Sequence, residues 1–145
     1  MTTIWLDMDG TIANLYGVEG WLNMLRAFDP TPYAEAKPLV NMSALARLLN
    51  NRQKMGYKVG IVSALSKDST PEYDAKVMNA KSKWIAKHLR SVKFDEIRFV
   101  PYTFPKNAVN AGNDILFDDE DRHLNAWTGT AINAESLLES LKALR

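Results

Sequence analysis

Five short apolar runs, separated by segments of helical periodicity, constrain this chain more than any other feature of it. The runs are TIWLD, KVGIVSA, EIRFVPY, DILFDD and TAIN, beginning at Thr3, Lys58, Glu96, Asp114 and Thr130. Each has the length of a strand and the Ile, Val and Phe content of a buried one. Between the first two, EGWLNMLRAF gathers Trp21, Leu25 and Phe28 on one side, and NMSALARLLNNRQKMG puts Met42, Leu45, Leu48 and Leu49 on one stripe. Asn41 suits the N-cap of this second helix and Gly56 its end. A third helix is expected over about residues 75–89, and a fourth from about Glu135 with Asn133 as its cap. Alternating β and α elements with continuous apolar strands predict a mainly parallel sheet covered by helices on both faces. The expected class is α/β, a Rossmann-like three-layer sandwich.

A chain of 145 residues suits one core, so a single domain over 1–145 is expected. The net charge of +1 offers no broad basic surface, which argues against an extended nucleic-acid interface or attachment to an acidic membrane. With no cysteine there is neither a disulfide nor a thiolate zinc site, in keeping with a reducing compartment; the expected location is cytoplasmic. The first strand is expected to begin next to Met1, so no signal peptide is expected, and no apolar run reaches membrane-spanning length.

In open α/β sheets, ligands bind outside the carboxyl ends of the strands, near the switch in strand order. Here the first strand ends on Asp7 and Asp9, the second on Ser63, and the fourth on Asp118 and Asp119. If these strands are neighbours, four carboxylates and a hydroxyl share one edge, and like charges at that spacing cannot all stay ionised without a partner. A divalent cation answers this. An all-oxygen donor set suits Mg2+, which commonly combines one or two carboxylates with water and a substrate phosphate. The phosphate in turn requires protein cations. Of the lysines in the third helix, Lys76, Lys83 and Lys87 point away, and only Lys81 falls on the stripe of Val77, Trp84, Ile85 and His88. A lysine on an apolar face is costly unless it reaches an anion.

The segment DMDGT, with Ser63, Lys81 and the Asp118-Asp119 pair following in order, resembles the four motifs of the haloacid dehalogenase superfamily of aspartate-nucleophile phosphatases. Within it, KSKW and the later ILFDD look most like the 5'(3')-deoxyribonucleotidase group. The resemblance implies that Asp7 is the nucleophile and a metal ligand. Asp9 would be the general acid and base, and its backbone carbonyl would also bind the metal. Ser63 would hydrogen-bond the phosphoryl oxygens, and Lys81 would neutralise them while orienting Asp7. Asp118 would complete the metal shell, with Asp119 ligating through water or holding Lys81 or a metal-bound water. Gly10 would let the backbone approach the phosphate and Thr11 would steady the turn. Lys67 and Lys106 stand where that group places lysines on the substrate phosphate. The implied partner is a small phosphorylated substrate, with a deoxynucleoside monophosphate as the finer reading.

Taken singly, most of these residues have ordinary alternatives. The aspartates suit turns and caps, DDEDRHLN reads as a solvated loop, and Lys67 and Lys106 read as surface lysines. His88 suits a hydrogen-bonded core position and His123 a solvated one, while Trp84 and Trp127 read as core. A small cap, residues 14–38, is expected as an insertion after the first strand, carrying Tyr16, Trp21, Phe28 and Tyr33. Packing within the insertion is the first expectation for these aromatics, stacking on a nucleobase the second. Its shortness suggests an open site or one completed by a second subunit of a homo-oligomer. Two other functions stay in view: a phosphoacceptor switch of the response-regulator type, in which Asp9 has no purpose, and a catalytically idle phosphate-binding module.

Overall fold

A computed structural model describes residues 1–145. Five parallel strands, β1 (Thr3–Leu6), β4 (Lys58–Ala64), β5 (Glu96–Val100), β6 (Ile115–Asp118) and β7 (Thr130–Asn133), form one sheet in the order β5-β4-β1-β6-β7. The chain runs outward from β1 through β4 to β5, then returns to the other side of β1 for β6 and β7. The switch in strand order therefore falls at β1, flanked by the two strands whose ends carry Ser63 and Asp118.

The period of two along the strands divides the core. Ile4, Leu6, Val59, Ile61, Ile115 and Phe117 face α3 (Met42–Lys54), α4 (Pro71–His88) and α6 (Leu137–Ala143) in the main apolar cluster. Trp5, Val62 and Leu116 form a second cluster with Val100 and Trp127, covered by Phe104 and Val109 of the segment between β5 and β6. Gly60 is small for a reason of packing: a Cβ there would stand 2.7 Å from the Trp5 ring. The buried Asp114 carboxylate accepts from the Thr3 N–H, Trp5 Nε1 and the Ala111 N–H, and so ties β1 to the segment that precedes β6.

The elements follow the sequence closely, with physical reasons where they differ. Asn41 caps α3 by accepting from the Ala44 N–H, and Asn133 accepts from the Glu135 N–H ahead of α6. The third helix begins a turn earlier than expected, because Thr70 caps it through the Tyr73 N–H and Pro71 suits its first position. β5 and β7 are edge strands, so most of their residues are exposed rather than buried. The acidic stretch after β6 is not a solvated loop but opens α5 (Asp121–Ala126), which buries His123.

Residues 14–38 form α1 (Trp21–Arg26) and α2 (Thr31–Glu35), closed at the base by an antiparallel pair in which Ala13 and Asn14 (β2) face Pro38 and Lys37 (β3). No helix of the protein is long and apolar enough to cross a membrane.

Candidate active site

At the carboxyl end of β1 the backbone carries on for one further ladder bond, Asp7 N–H to the Phe117 carbonyl at 2.9 Å, and then turns. Asp7 follows the strand alternation onto the Trp5 face of the sheet, and Asp118 follows it onto the same face from β6. Lys106, in the short 3-10 turn Lys106–Val109, reaches both: its Nζ donates to Asp7 Oδ1 at 2.6 Å and to Asp118 Oδ2 at 2.8 Å. The surface position expected for Lys106 is thus corrected; the residue is 3% exposed. Its turn is anchored by Asn107 Oδ1, which accepts from the Thr128 N–H at 2.9 Å.

Ser63 shares the parity of Val59 and Ile61 and therefore lies on the opposite face, toward α4. Lys81, 0% exposed on that helix, donates to Ser63 Oγ at 2.7 Å, to the Ala64 carbonyl at 2.8 Å and to Asp9 Oδ2 at 2.9 Å. Lys81 holds Asp9 rather than Asp7, and it is not held by Asp119. The orienting of Asp7 expected of Lys81 falls to Lys106.

Thr11 does more than steady the turn: its Oγ1 donates to Asp7 Oδ2 at 2.9 Å, so both oxygens of Asp7 are engaged. Gly10 has φ +83, and a Cβ on it would stand 2.6 Å from Asp119 Cγ. The space that glycine leaves is filled by the Asp119 carboxylate, not by free backbone surface.

Asp7, Asp118 and Asp119 can bring one oxygen each within 4.8 Å of one another. Three carboxylates there face one ammonium, that of Lys106, so that full ionisation of all three would leave two negative charges uncompensated. The electrostatics record the imbalance. Burial pushes the Asp119 carboxyl up to about 8, helped by Asp7 and Asp118. Burial and Asp7 push Asp118 up to about 6 against the pull of Lys106. For Asp7, burial is outweighed by the Lys106 charge and by hydrogen bonds, so this carboxylate is held below its usual range. Burial raises Asp9, with Lys81 opposing. Burial also works against the Lys106 ammonium, but Asp7 and Asp118 outweigh it and hold the charge firmly. An all-oxygen set with two charges to spare fits a divalent cation such as Mg2+.

Above these groups opens a cleft of about 600 Å3, with Asp7, Asp9 and Lys106 on its floor. Its walls come from the insertion, from the β4–α4 loop with the exposed Lys67, and from Tyr102, Glu120, Arg122 and His123. Of the insertion's aromatics, Tyr33 is buried and Trp21 partly so, while Tyr16 is 46% and Phe28 45% exposed; all four line the cleft. Interior packing alone therefore does not account for them. The two non-glycine residues with positive φ, Phe28 at 58° and Asp68 at 54°, both lie on this cleft, where local strain concentrates at functional surfaces. Arg122 lies with Cζ 4.5 Å from the Tyr102 ring centroid and donates to Glu120.

His123 is buried and kept neutral, its pKa lowered to about 4 by burial and by Lys106 and Arg122. His88 is not the hydrogen-bonded core residue expected: half-buried and away from the cleft, it lies tilted against Trp84, with ring centroids 4.4 Å apart and planes at 43°. Trp84 and Trp127 are core residues, each donating its indole N–H to a carbonyl.

No family model and no curated protein matches the sequence. Among solved structures, the chain is similar to D,D-heptose 1,7-bisphosphate phosphatase from Burkholderia thailandensis, with a TM-score of 0.59 and 12% identity over 99% of this chain and 100% of that one. At such an identity the likeness is one of architecture. This chain shares with that phosphatase, from end to end, an α/β three-layer fold built on a parallel sheet.

Proposed function

We propose that the chain is a Mg2+-dependent phosphomonoester hydrolase of the haloacid dehalogenase superfamily, acting in the cytoplasm through an aspartyl phosphate on Asp7. The observation that carries this reading is the division of labour between two carboxylates two residues apart: Asp7 is held ionised by Lys106 and Thr11, while Asp9 is held separately by Lys81 with a raised pKa. The fold likeness to a phosphatase and the order of the four motifs support it.

In this reading Asp7, Asp118 and Asp119, with the Asp9 backbone carbonyl, hold Mg2+, which supplies charge neutralisation for the phosphoryl oxygens. An oxygen of Asp7 forms a bond to phosphorus as the bond to the leaving alcohol breaks, and Asp9 gives its proton to that alcohol. Asp9, now a carboxylate, takes a proton from water as the water oxygen bonds to phosphorus, and Asp7 leaves with its electron pair. Lys106 and Ser63 stabilise the charge that builds on the phosphoryl group, and Lys67 meets the substrate at the mouth. Gly10 and Thr11 keep the turn between the two aspartates in shape.

The whole chain acts as one domain, with residues 14–38 selecting the substrate. Tyr16, Trp21 and Phe28 present aromatic surface to the cleft, and Arg26 and Lys67 line it without an ion-pair partner. A small phosphomonoester with a planar body, a deoxynucleoside monophosphate in the finest form of the reading, suits that wall.

The test is steady-state hydrolysis of nucleotides, sugar phosphates and phosphopeptides with Mg2+ and with chelator, for the native chain and for Asp7→Asn. The reading requires Mg2+-dependent phosphate release that the variant lacks; release unchanged in the variant contradicts it.

A further inference from the structure

The ammonium of Lys81 has a fourth neighbour besides its three hydrogen-bond acceptors. Those acceptors, Ser63 Oγ, the Ala64 carbonyl and Asp9 Oδ2, use all three N–H groups. On a remaining side lies the ring of Tyr33, its centroid 4.9 Å from Nζ. The ammonium is fully removed from water, so the negative face of an aromatic ring has its greatest effect on it there.

Tyr33 belongs to the insertion, not to the sheet that carries the carboxylates, and several contacts fix it. Its hydroxyl shares a hydrogen bond with Ser66 Oγ. On either side of it in sequence, the insertion is tied to α4: Tyr73 donates its hydroxyl to the Asp29 carbonyl at 2.9 Å, and Trp84 Nε1 donates to the Ala36 carbonyl at 2.7 Å. The ring is thus held from its own chain, from the β4–α4 loop and from the helix that bears Lys81.

We propose that Tyr33 is a positioning residue for proton transfer: its ring holds the Lys81 ammonium against Asp9, so that Asp9 Oδ2 is fixed and Oδ1 is presented to the leaving oxygen. The insertion then has a second task besides lining the cleft. It completes the setting of the general acid, and it does so as a fixed wall. This inference rests on the phosphatase reading above.

The consequence is selective. An alkyl phosphate releases a basic alkoxide and needs the proton that Asp9 delivers, whereas 4-nitrophenyl phosphate releases a stable phenolate and needs it little. The parameter to compare is kcat/KM, which reports only the steps up to departure of the alcohol. For Tyr33→Leu it falls about tenfold with glycerol phosphate and by less than about threefold with 4-nitrophenyl phosphate. Tyr33→Phe, which keeps the ring and loses only the Ser66 bond, restores the alkyl rate.

A second series guards against collapse of the Leu variant. Phenylalanine analogues with one, two and three ring fluorines at position 33 keep the shape while emptying the ring face of negative charge. The alkyl-phosphate kcat/KM should fall stepwise along that series while the 4-nitrophenyl value holds. Equal losses on both substrates, or an alkyl rate indifferent to fluorination, overturn the positioning role and leave the phosphatase reading standing. A native chain that hydrolyses neither substrate overturns both.

Discussion

Asp7 and Asp9, two residues apart at the end of β1, are bound by different lysines from opposite faces of the sheet: Lys106 lies 2.6 Å from Asp7 and Lys81 lies 2.9 Å from Asp9. The alternation of the strands produces this. Asp7 and Asp118 fall on the face that the β5–β6 segment covers, and Ser63 falls on the face of α4. The two carboxylates end in unlike states: the Lys106 charge outweighs burial at Asp7 and keeps it ionised, whereas at Asp9 burial outweighs the opposing Lys81 charge and raises it toward its protonated form.

Replacing Lys106 by Met leaves Asp7, Asp118 and Asp119 without a protein cation. Breaking a buried pair on one side costs roughly 3 kcal/mol, to be read as a lower midpoint in urea unfolding with chelator present. Added Mg2+ should recover part of the loss. The turnover of a phosphomonoester should fall by about 100-fold or more.

The acidic cluster predicts an unusual pH dependence. Asp119 and Asp118 have folded-state values of about 8 and about 6, both above the ordinary carboxylate value of 3.8. Between about pH 4 and pH 8 the folded metal-free chain therefore binds more protons than the unfolded chain, so its stability falls as the pH rises through that window. A cation that binds the ionised carboxylates offsets this. The Tm in chelator should decline from pH 6 to pH 8.5, the Tm in excess Mg2+ should stay level, and Asp119→Asn should flatten the chelator curve. Parallel curves with and without Mg2+ would count against a metal at this cluster.

Gly10→Ala places a Cβ against the Asp119 carboxylate at a φ of +83. The left-handed conformation alone costs about 1 kcal/mol for a residue with a side chain. Displacement of Asp119 should in addition weaken Mg2+ binding, measured by calorimetry, by at least about tenfold. An unchanged affinity would show that Asp119 does not contribute to the ion.

At the cleft wall, Tyr16 and Phe28 separate binding from chemistry. If the planar part of the substrate stacks on them, Tyr16→Ala and Phe28→Ala each raise KM for a deoxynucleoside monophosphate about tenfold, since one stacked base is worth roughly 1–3 kcal/mol. The kcat values should move little. A KM indifferent to both substitutions would turn the substrate reading toward a non-planar phosphomonoester.

Much of the site is legible in the sequence because strand ends are. Asp7, Asp9, Ser63, Asp118 and Asp119 all follow apolar runs whose pairing puts them on one edge, and Lys81 betrays itself as a charge on an apolar helical stripe. Lys106 gives no such signal. It sits after Pro105 in a stretch with neither period, so only the family resemblance singles it out, and then as a lysine on the substrate phosphate rather than on Asp7 and Asp118. The short α5 and the approach of the Tyr33 ring to Lys81 are equally silent, because both are set by contacts between distant segments rather than by local pattern. The insertion's aromatics were ambiguous for the opposite reason: four such residues in a short segment suit a core and a cleft equally well, and the fold uses them for both.

The proposed hydrolysis runs through a covalent phosphoryl group on Asp7, and rapid-quench mass spectrometry of the chain during turnover of a phosphomonoester with Mg2+ tests that most directly. The expected result is a phosphoryl adduct on the peptide containing Asp7 that appears within the first turnover, decays in seconds or less once substrate is exhausted, and is missing in Asp7→Asn. An adduct on a different residue, or none while phosphate is being released, would contradict the account, and an adduct on Asp7 that persisted for minutes or more would mark a phosphoacceptor switch in its place.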